Sequence, residues 1–594
     1  MAIKLVTERE INVTDFGLAV LKDRYLIGDE SSQELFARVA KAYSNDDSHA
    51  QRMYDYISKM WFMPATPILA NGGTNRGLPI SCFLNEMQDS LDSIAKTWNE
   101  NVYLASSGGG IGTHIGNIRS INEEIMGKGH TSGVIPFIKV IDSMTLAISQ
   151  GSLRRGSAAV YMQDTHPEIE EFIDIRRPTG DTNRRCLNIH HGVCISDDFM
   201  NAVSEGKSWN LISPASGKIV STVNARDLWI KILSSRVETG EPYILYTDTV
   251  NENLPDVYKA HNFKVKTSNL CSEITLLTGL DHHNKERTAV CCLSSLNLEY
   301  FEEWKGNEIF IEDAMNFLDN VLDDFIKRAP DAMERAKYSA SRERSVGLGV
   351  MGFHSFLQSK NTPLEGVAAK SWNRAIFAHI KAKVDEASKK IAKEKGACPD
   401  AKEAGLNERF SNKIAIAPTA SISIIAGNSS PGIEPYAANC YTHKTLSGSF
   451  IVRNKYLKKL LQIKASDNEK TWSSIALNEG SVQHLECLTP EEKAVFKTAM
   501  EINQMWLVDH AADRQKYICQ AQSLNVFFAS NVEKRVLHDI HFAAWKKGVK
   551  SLYYCRSSSI QRAEKAPGQN VIQAKPKQQG GQTVDMYNEC LACQ

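Results

Sequence analysis

The sequence carries no charge bias. Its 69 basic residues balance 69 acidic ones, and no long run of one sign interrupts the chain. A protein that grips duplex nucleic acid shows a basic face, so a nucleic acid polymer is excluded as the main partner. A small anion can still find a local basic site. A secretory leader is missing too, because the opening MAIKLVTERE has no apolar core. Nor does any apolar run reach the length of a bilayer span. These absences predict a cytoplasmic protein that does not engage a membrane. No short-period repeat is present. Cysteine, by contrast, is plentiful: thirteen residues, an odd number, are scattered through the chain. In a reducing compartment such thiols are buried, reactive or metal-binding rather than a disulfide framework.

The 594 residues, 42% of them apolar, supply a sizeable core and suit a large α/β barrel. Residues 32–62 read as helical. SSQELFARVAKAY opens on a capping-type serine and spaces its apolar residues at helical intervals. PATPILANGG then breaks the pattern. Gly-rich turns follow at SSGGGIG (residues 106–112), and a polar loop at RRPTGDTNRR (residues 176–185). HHGVCIS, SVGLGVMGF and KIAIAPTA read as buried strands, separated by helical stretches such as WNRAIFAHIKAKVDEASKKIAKEKG. Strands alternating with helices predict an α/β sheet or barrel. From about residue 566 the chain is rich in Gly, Gln, Pro and Lys, which predicts a flexible tail. The expected division is a helical region over 1–75, an α/β domain over 76–565 and a tail over 566–594.

Two cysteine patterns carry chemistry. In SNLCSEITL, Asn269, Cys271 and Glu273 alternate with Leu270 and Ser272. On an extended chain, residues two apart face the same side, so an amide, a thiol and a carboxylate are expected to converge. The second pattern is Cys590 and Cys593, a C-x-x-C pair at the end of the tail. Such a pair is a good dithiol. Half of a zinc site is the competing reading, with His282, His283, Cys291 and Cys292 as the nearest further ligands. About 24 flexible residues give the pair a reach of roughly 27 Å, enough to carry electrons from a surface donor to an internal site. Cys82, Cys291 and Cys292 are the internal candidates for reduction.

Nine stretches resemble, in order, the large catalytic subunit of ribonucleotide reductase. They are PATPILANGG, SCFLNEMQDSLDSI, GGGIGTHIGNIR, NLCSEI, AVCCLSSLNL, SVGLGVMGF, APTASIS, DRQKYICQAQSLNVFF and LYY. The resemblance runs from VLKDRYL (residues 20–26) to the C-terminal cysteines. It implies a ten-stranded α/β barrel of two parallel five-stranded halves, with a central finger loop that carries Cys271. A thiyl radical on Cys271 would take the 3′ hydrogen of a ribonucleotide, Glu273 would act as base on the 3′ hydroxyl, and Asn269 would hold the sugar. Cys82 and Cys291 would supply two electrons, and Cys590 with Cys593 would re-reduce them through a thioredoxin or glutaredoxin-type donor. Thr419, Ser421 and Ser423 would line the substrate phosphate site, with Thr66, Ser81 and Gly110 as further substrate contacts. Asp89, Arg119 and Lys128 would bind a deoxynucleoside triphosphate or ATP effector at a homodimer interface. The loop 178–188, with Asn183 and Arg185, would relay effector identity to the substrate base.

Two departures shape the expectation. VLKDRYL begins about two dozen residues into the chain, which leaves no room for an N-terminal ATP cone. That small form suits a compact genome such as a phage's, with the host cytoplasm as location. SSGGGIG and HPEIEEFI are similar to adenosylcobalamin-dependent members, yet Tyr553 and Tyr554 match the tyrosine pair that brings a radical in from a separate, ferritin-like, metal-containing small subunit. The second reading is favoured, with no cofactor bound directly in this chain and adenosylcobalamin as the alternative. A glycyl-radical enzyme is disfavoured by the C-terminal cysteines. Two further readings are a cysteine-nucleophile hydrolase or transferase, for which no histidine pattern lies near Cys271, and a nucleotide-binding regulatory protein that has lost catalysis.

Overall fold

Local capping decides the N-terminal helices. Thr14 caps α1 (Asp15–Arg24). Ser31 and Glu34 form a reciprocal capping box at the start of α2 (Ser32–Ala42). Residues 32–62, read as helical, form two helices, and a strand begins at Phe62. Asp46 accepts a hydrogen bond from His49 N and starts a new helix, α3 (Asp47–Ser58). Residues Phe62–Pro64 form strand β1. In the computed structural model, residues 3–125, 127–150, 154–445 and 448–557 are described. The 566–594 tail, with Cys590 and Cys593, lies outside them.

Ten extended segments make the barrel. Its first half is five parallel strands: β2 (Cys82–Glu86), β3 (Gly110–His114), β4 (Ser157–Gln163), β5 (His190–Ile195) and β6 (Tyr243–Tyr246), paired in that order. The second half starts with β7 (Ala289–Asn297) and β8 (Val346–Met351), also parallel. Residues 412–416 follow as an irregular third segment. Val346 and Leu348 donate to the carbonyls of Asn412 and Lys413, and Ile416 forms a parallel bridge with Gln522. The expected strand at KIAIAPTA is therefore extended and hydrogen-bonded, but Pro418 and the small residues around it do not sustain a regular ladder. Residues 520–528 come next. They include β9 (Val526–Phe528), which runs parallel to β11 (Cys555–Ser557) just beyond β10 (Ser551–Leu552).

The two halves run in opposite directions and close along two seams. On one, β2 pairs antiparallel with β7; on the other, β6 pairs antiparallel with β10. β1 extends the first seam by pairing with the far end of β7. The strands are buried along nearly their whole lengths, as sheets covered on both faces require. The expected glycine turn at 106–112 ends early, because Gly110 already belongs to β3. The long helical stretch is present as Val367–Lys395.

Candidate active site

Residues 267–278 leave the walls and run through the interior, all of them buried. Gly112 on β3 admits them. A Cβ there would sit 1.9 Å from the Ser268 carbonyl oxygen, so only glycine lets the loop pass. Beside it, a Cβ on Gly110 would touch the Leu270 side chain at 3.1 Å. From β4, Tyr161 Oη donates to Asn269 O at 2.6 Å and lies 3.0 Å from Ser272 Oγ.

Asn269, Cys271 and Glu273 all lie on this buried loop, but the chain there is not extended. Ser272 N bonds back to Asn269 O, and Ser272 adopts a left-handed conformation with φ of 63°. The segment is a tight turn, held in a conformation that non-glycine residues rarely adopt. The Asn269 side chain organises it. Its Oδ1 accepts from the backbone N–H groups of Glu273 and Ile274, both at 3.1 Å. Its Nδ2 donates to Cys82 Sγ at 3.2 Å. Ser523 Oγ braces the far side, 2.5 Å from Cys271 O and 3.1 Å from Glu273 Oε2. The other carboxylate oxygen, Glu273 Oε1, is buried with no hydrogen-bond partner among the described residues. Burial pushes the Glu273 carboxyl up to about 7 against the lowering pull of Asn269 and Ser523. A carboxyl with that affinity is matched to proton transfer near neutrality.

Register sets the cysteine pair. Cys82 on β2 lies directly opposite Cys291 on β7. Opposed residues in an antiparallel pair stand about 4.5–5.5 Å apart at Cα, within the span of a disulfide. Both are thiols here, and Gln520 Nε2 lies 3.7 Å from Cys291 Sγ. Burial, then the neighbouring Cys82, pushes the Cys291 thiol well up. Cys292 faces the opposite side, near Asp319 and Arg344. His282 and His283 do not approach these cysteines. Both turn to Glu403 Oε2, at 2.7 and 3.0 Å, and Arg342 also binds that carboxylate.

The aromatic pair sits at the second seam. Tyr553 and Tyr554 rings lie 4.3 Å apart between centroids, and Tyr243 from β6 packs on both, at 4.7 and 5.1 Å. Tyr553 N bonds to Leu524 O and Tyr554 N to Asn525 Oδ1, which fixes the pair against the 520–528 segment.

The remaining expected residues occupy separate places. Thr419 is a buried left-handed residue, and its Oγ1 accepts from Gly432 N at 2.7 Å. Ser421 and Ser423 follow it on the short helix Ala420–Ile425. Thr66 Oγ1 lies 2.9 Å from Tyr25 Oη, and Ser81 O accepts from Gly110 N. Asp89 and Arg119 bind each other, Nε to Oδ2 at 2.8 Å. Lys128 and Asn183 are exposed. Arg185 Nε donates to Thr179 O within its own loop. Sequence reasoning missed the residues that anchor this loop. Arg184 binds Glu171 and the Ser132 carbonyl, while Asp142 holds Asn188. It also missed Tyr161, Ser523, Gln520 and Tyr243, each of which acts across more than a hundred residues of chain; Gln520 and Ser523 do lie within the matched stretch DRQKYICQAQSLNVFF, but nothing in it shows what they touch. Gly112 carried a visible signal, as the last glycine of the GGGIG run.

A closed α/β barrel with a buried loop that brings thiols and a carboxylate together defines a thiol-based redox enzyme. The comparisons name its kind. Residues 80–408 and 400–555 match the family model for the ribonucleotide reductase barrel domain, and residues 11–77 match that for the all-alpha domain. The chain is 41% identical to the ribonucleoside-diphosphate reductase large subunit of Invertebrate iridescent virus 3, over 99% of both chains. It is 32% identical to that of Trypanosoma brucei brucei, over 93% of this chain and 74% of the relative. Its structure is similar to the Actinobacillus ureae class Id ribonucleotide reductase alpha subunit, with a TM-score of 0.82, 36% identity, and coverage of 92% of this chain and 98% of the other. The chain belongs to the ribonucleotide reductase large-subunit family and is an oxidoreductase of class I kinship, not a cobalamin-dependent one. That kinship implies a separate subunit as the radical source. Among the described residues, no helix is long and apolar enough to cross a membrane.

Proposed function

We propose that this chain reduces ribonucleoside diphosphates to deoxyribonucleotides by thiyl-radical chemistry, within the 76–565 barrel. Cys271 as a thiyl radical removes the 3′ hydrogen atom and returns it to the 3′ carbon after the 2′ position is reduced, which restores the thiyl radical. Glu273 takes the 3′ hydroxyl proton through Oε1, and Asn269 orients the sugar. The 2′ hydroxyl leaves as water. Cys82 and Cys291 deliver two electrons and two protons and join as a disulfide. Thiol exchange with Cys590 and Cys593 then reduces that disulfide, and a thioredoxin or glutaredoxin-type protein reloads the tail. Thr66, Ser81, Gly110, Thr419, Ser421 and Ser423 bind the rest of the substrate. The radical enters from a ferritin-like, metal-containing small subunit through Tyr554 and Tyr553. Deoxynucleoside triphosphates or ATP bind near Asp89, Arg119 and Lys128 of a homodimer in the cytoplasm, and Asn183 and Arg185 read their identity. Exposed Leu91, Val140 and Leu146, on the helices Leu91–Ser106 and Ile135–Ala147 beside that pair, support such a dimer.

The single observation that carries the reading is the opposition of Cys82 and Cys291 beside the Asn269–Glu273 turn. The test is a first-turnover assay without external reductant, using the chain with its metal-loaded small subunit. A Cys590→Ser, Cys593→Ser enzyme should make about one product per active site and accumulate one Cys82–Cys291 disulfide, readable by peptide mass. Cys292→Ser should behave as wild type, whereas Cys291→Ser should make no deoxynucleotide and Cys271→Ser no product at all. A first turnover without that disulfide would refute the assignment.

A further inference from the structure

Three consecutive backbone N–H groups of the buried loop, those of Glu273, Ile274 and Thr275, are held by two side-chain amides. Asn269 Oδ1 accepts from the first two, both at 3.1 Å. Gln520 Oε1 accepts from the third at 3.3 Å. Each amide turns its other end to one of the two opposed thiols. Asn269 Nδ2 lies 3.2 Å from Cys82 Sγ, and Gln520 Nε2 lies 3.7 Å from Cys291 Sγ. Asn269 already has a part in the reaction above, whereas Gln520 has none.

The hydrogens of Gln520 can be counted. Thr275 N only donates, and the Val346 carbonyl on β8, 3.1 Å from Nε2, only accepts. These two partners fix which end of the amide is oxygen. One N–H goes to Val346 O, and the second is left for Cys291 Sγ. The side chain is fully buried. Its backbone is pinned on both sides, with Gln520 N donating to Ile414 O at 3.2 Å and Gln515 Nε2 donating to Gln520 O at 3.0 Å. Burial, then Cys82, pushes the Cys291 thiol up, and Gln520 is the hydrogen-bond partner that pulls against them.

Oxidation of the pair breaks this arrangement. The thiols pass two hydrogens to the substrate: one replaces the 2′ hydroxyl on carbon, the other leaves with it as water, and one S–S bond forms. Closing that bond to about 2.05 Å draws the Cys291 sulfur toward Cys82. A disulfide sulfur is also a poorer acceptor than a thiol. The second Gln520 N–H then loses its partner in a buried place, which costs free energy. The same amide holds Thr275, so the loop feels the change.

We infer that Gln520 is a positioning residue that couples the reducing thiols to the Cys271 loop: its oxygen holds the loop at Thr275, and its N–H favours the dithiol form of Cys291. The inference rests on the Cys82–Cys291 reading above and adds to it a residue outside the cysteines and the loop. Gln520 exchanges no proton or electron in this role.

The experiment uses the full chain with Cys590→Ser and Cys593→Ser, equilibrated in mixtures of reduced and oxidised dithiothreitol. The Cys82–Cys291 disulfide is read by peptide mass, and amide hydrogen exchange of residues 267–278 is read beside it. Gln520→Met, close in size but without an amide, should shift the equilibrium roughly three- to tenfold toward disulfide and speed exchange in the loop. Gln520→Glu keeps an oxygen for Thr275, and its single O–H, when protonated, goes to the Val346 carbonyl, a better acceptor than sulfur. It should shift the equilibrium the same way and leave loop exchange near that of the chain with Gln520. Thermal midpoint and deoxynucleotide binding identify the variants that fold. If the chain with Gln520 forms no Cys82–Cys291 disulfide in a first turnover, the reading of the pair fails. If it does, and either folded variant keeps an unchanged equilibrium, or Gln520→Met leaves loop exchange unchanged, the role of Gln520 alone is overturned.

Discussion

Glu273→Gln separates the catalytic role of this carboxyl from its cost to the fold. The carboxyl is buried and pushed from 4.5 up to about 7. Below pH 4.5 it is protonated in folded and unfolded chains alike and contributes no pH dependence. Between pH 4.5 and 7 the unfolded chain ionises while the folded chain keeps its proton, so stability falls as pH rises. Above 7 both states are ionised, and the penalty stays constant. At about 1.4 kcal/mol per pKa unit, the full loss is about 3 kcal/mol. Glutamine keeps the shape and an oxygen for Ser523 but cannot ionise. The variant should therefore be inactive in nucleotide reduction and yet gain stability relative to wild type as pH rises from 5 to 8, then hold that gain. Paired thermal melts of the two proteins across this range read the difference directly. A stability difference that does not change between pH 5 and 8 would refute the premise that Glu273 is a buried carboxyl with a raised pKa. Retained turnover would refute its role as base.

Two other outcomes follow from packing and charge. Gly112→Ala puts a Cβ 1.9 Å from Ser268 O and 2.8 Å from Asn269 Cα; since neither is a flexible side chain, the loop must shift at a cost of about 1–3 kcal/mol. The protein should still fold and bind deoxynucleotides but lose turnover, and wild-type kcat would show that the loop does not need this passage. Arg119→Ala removes the partner of Asp89 and should weaken deoxynucleoside triphosphate binding by roughly tenfold or more. It should also blunt effector-driven dimerisation in sedimentation, and an unchanged dimer response would remove Arg119 from the effector site.

Much of the architecture was legible because it is written in local patterns. The Ser31 and Glu34 capping box, the apolar runs of β5 and β8, and the glycine run before β3 all announce themselves within a few residues. What was not legible depends on distant partners. Nothing local in SNLCSEITL shows that Ser272 is left-handed. That conformation is held by Tyr161, Ser523 and the Asn269 side chain, which reach it from strand β4, from the 520–528 segment and from within the turn. The irregular 412–416 segment was read as an ordinary strand because its composition is apolar, while its ladder is interrupted. The helical reading of 32–62 did not locate the boundary between α2 and α3, where Asp46 caps the second helix.

The seam between β2 and β7 gives the barrel a mechanical cycle. Cys82 belongs to one parallel half and Cys291 to the other. A bond between them would staple the halves together and enclose roughly 200 residues of chain, a cross-link worth about 5 kcal/mol against unfolding by loop-closure entropy. Each product molecule would thus leave behind a stiffer, locked barrel, and each reduction by the tail would unlock it. Resistance to denaturation becomes a gauge of how recently the enzyme has turned over.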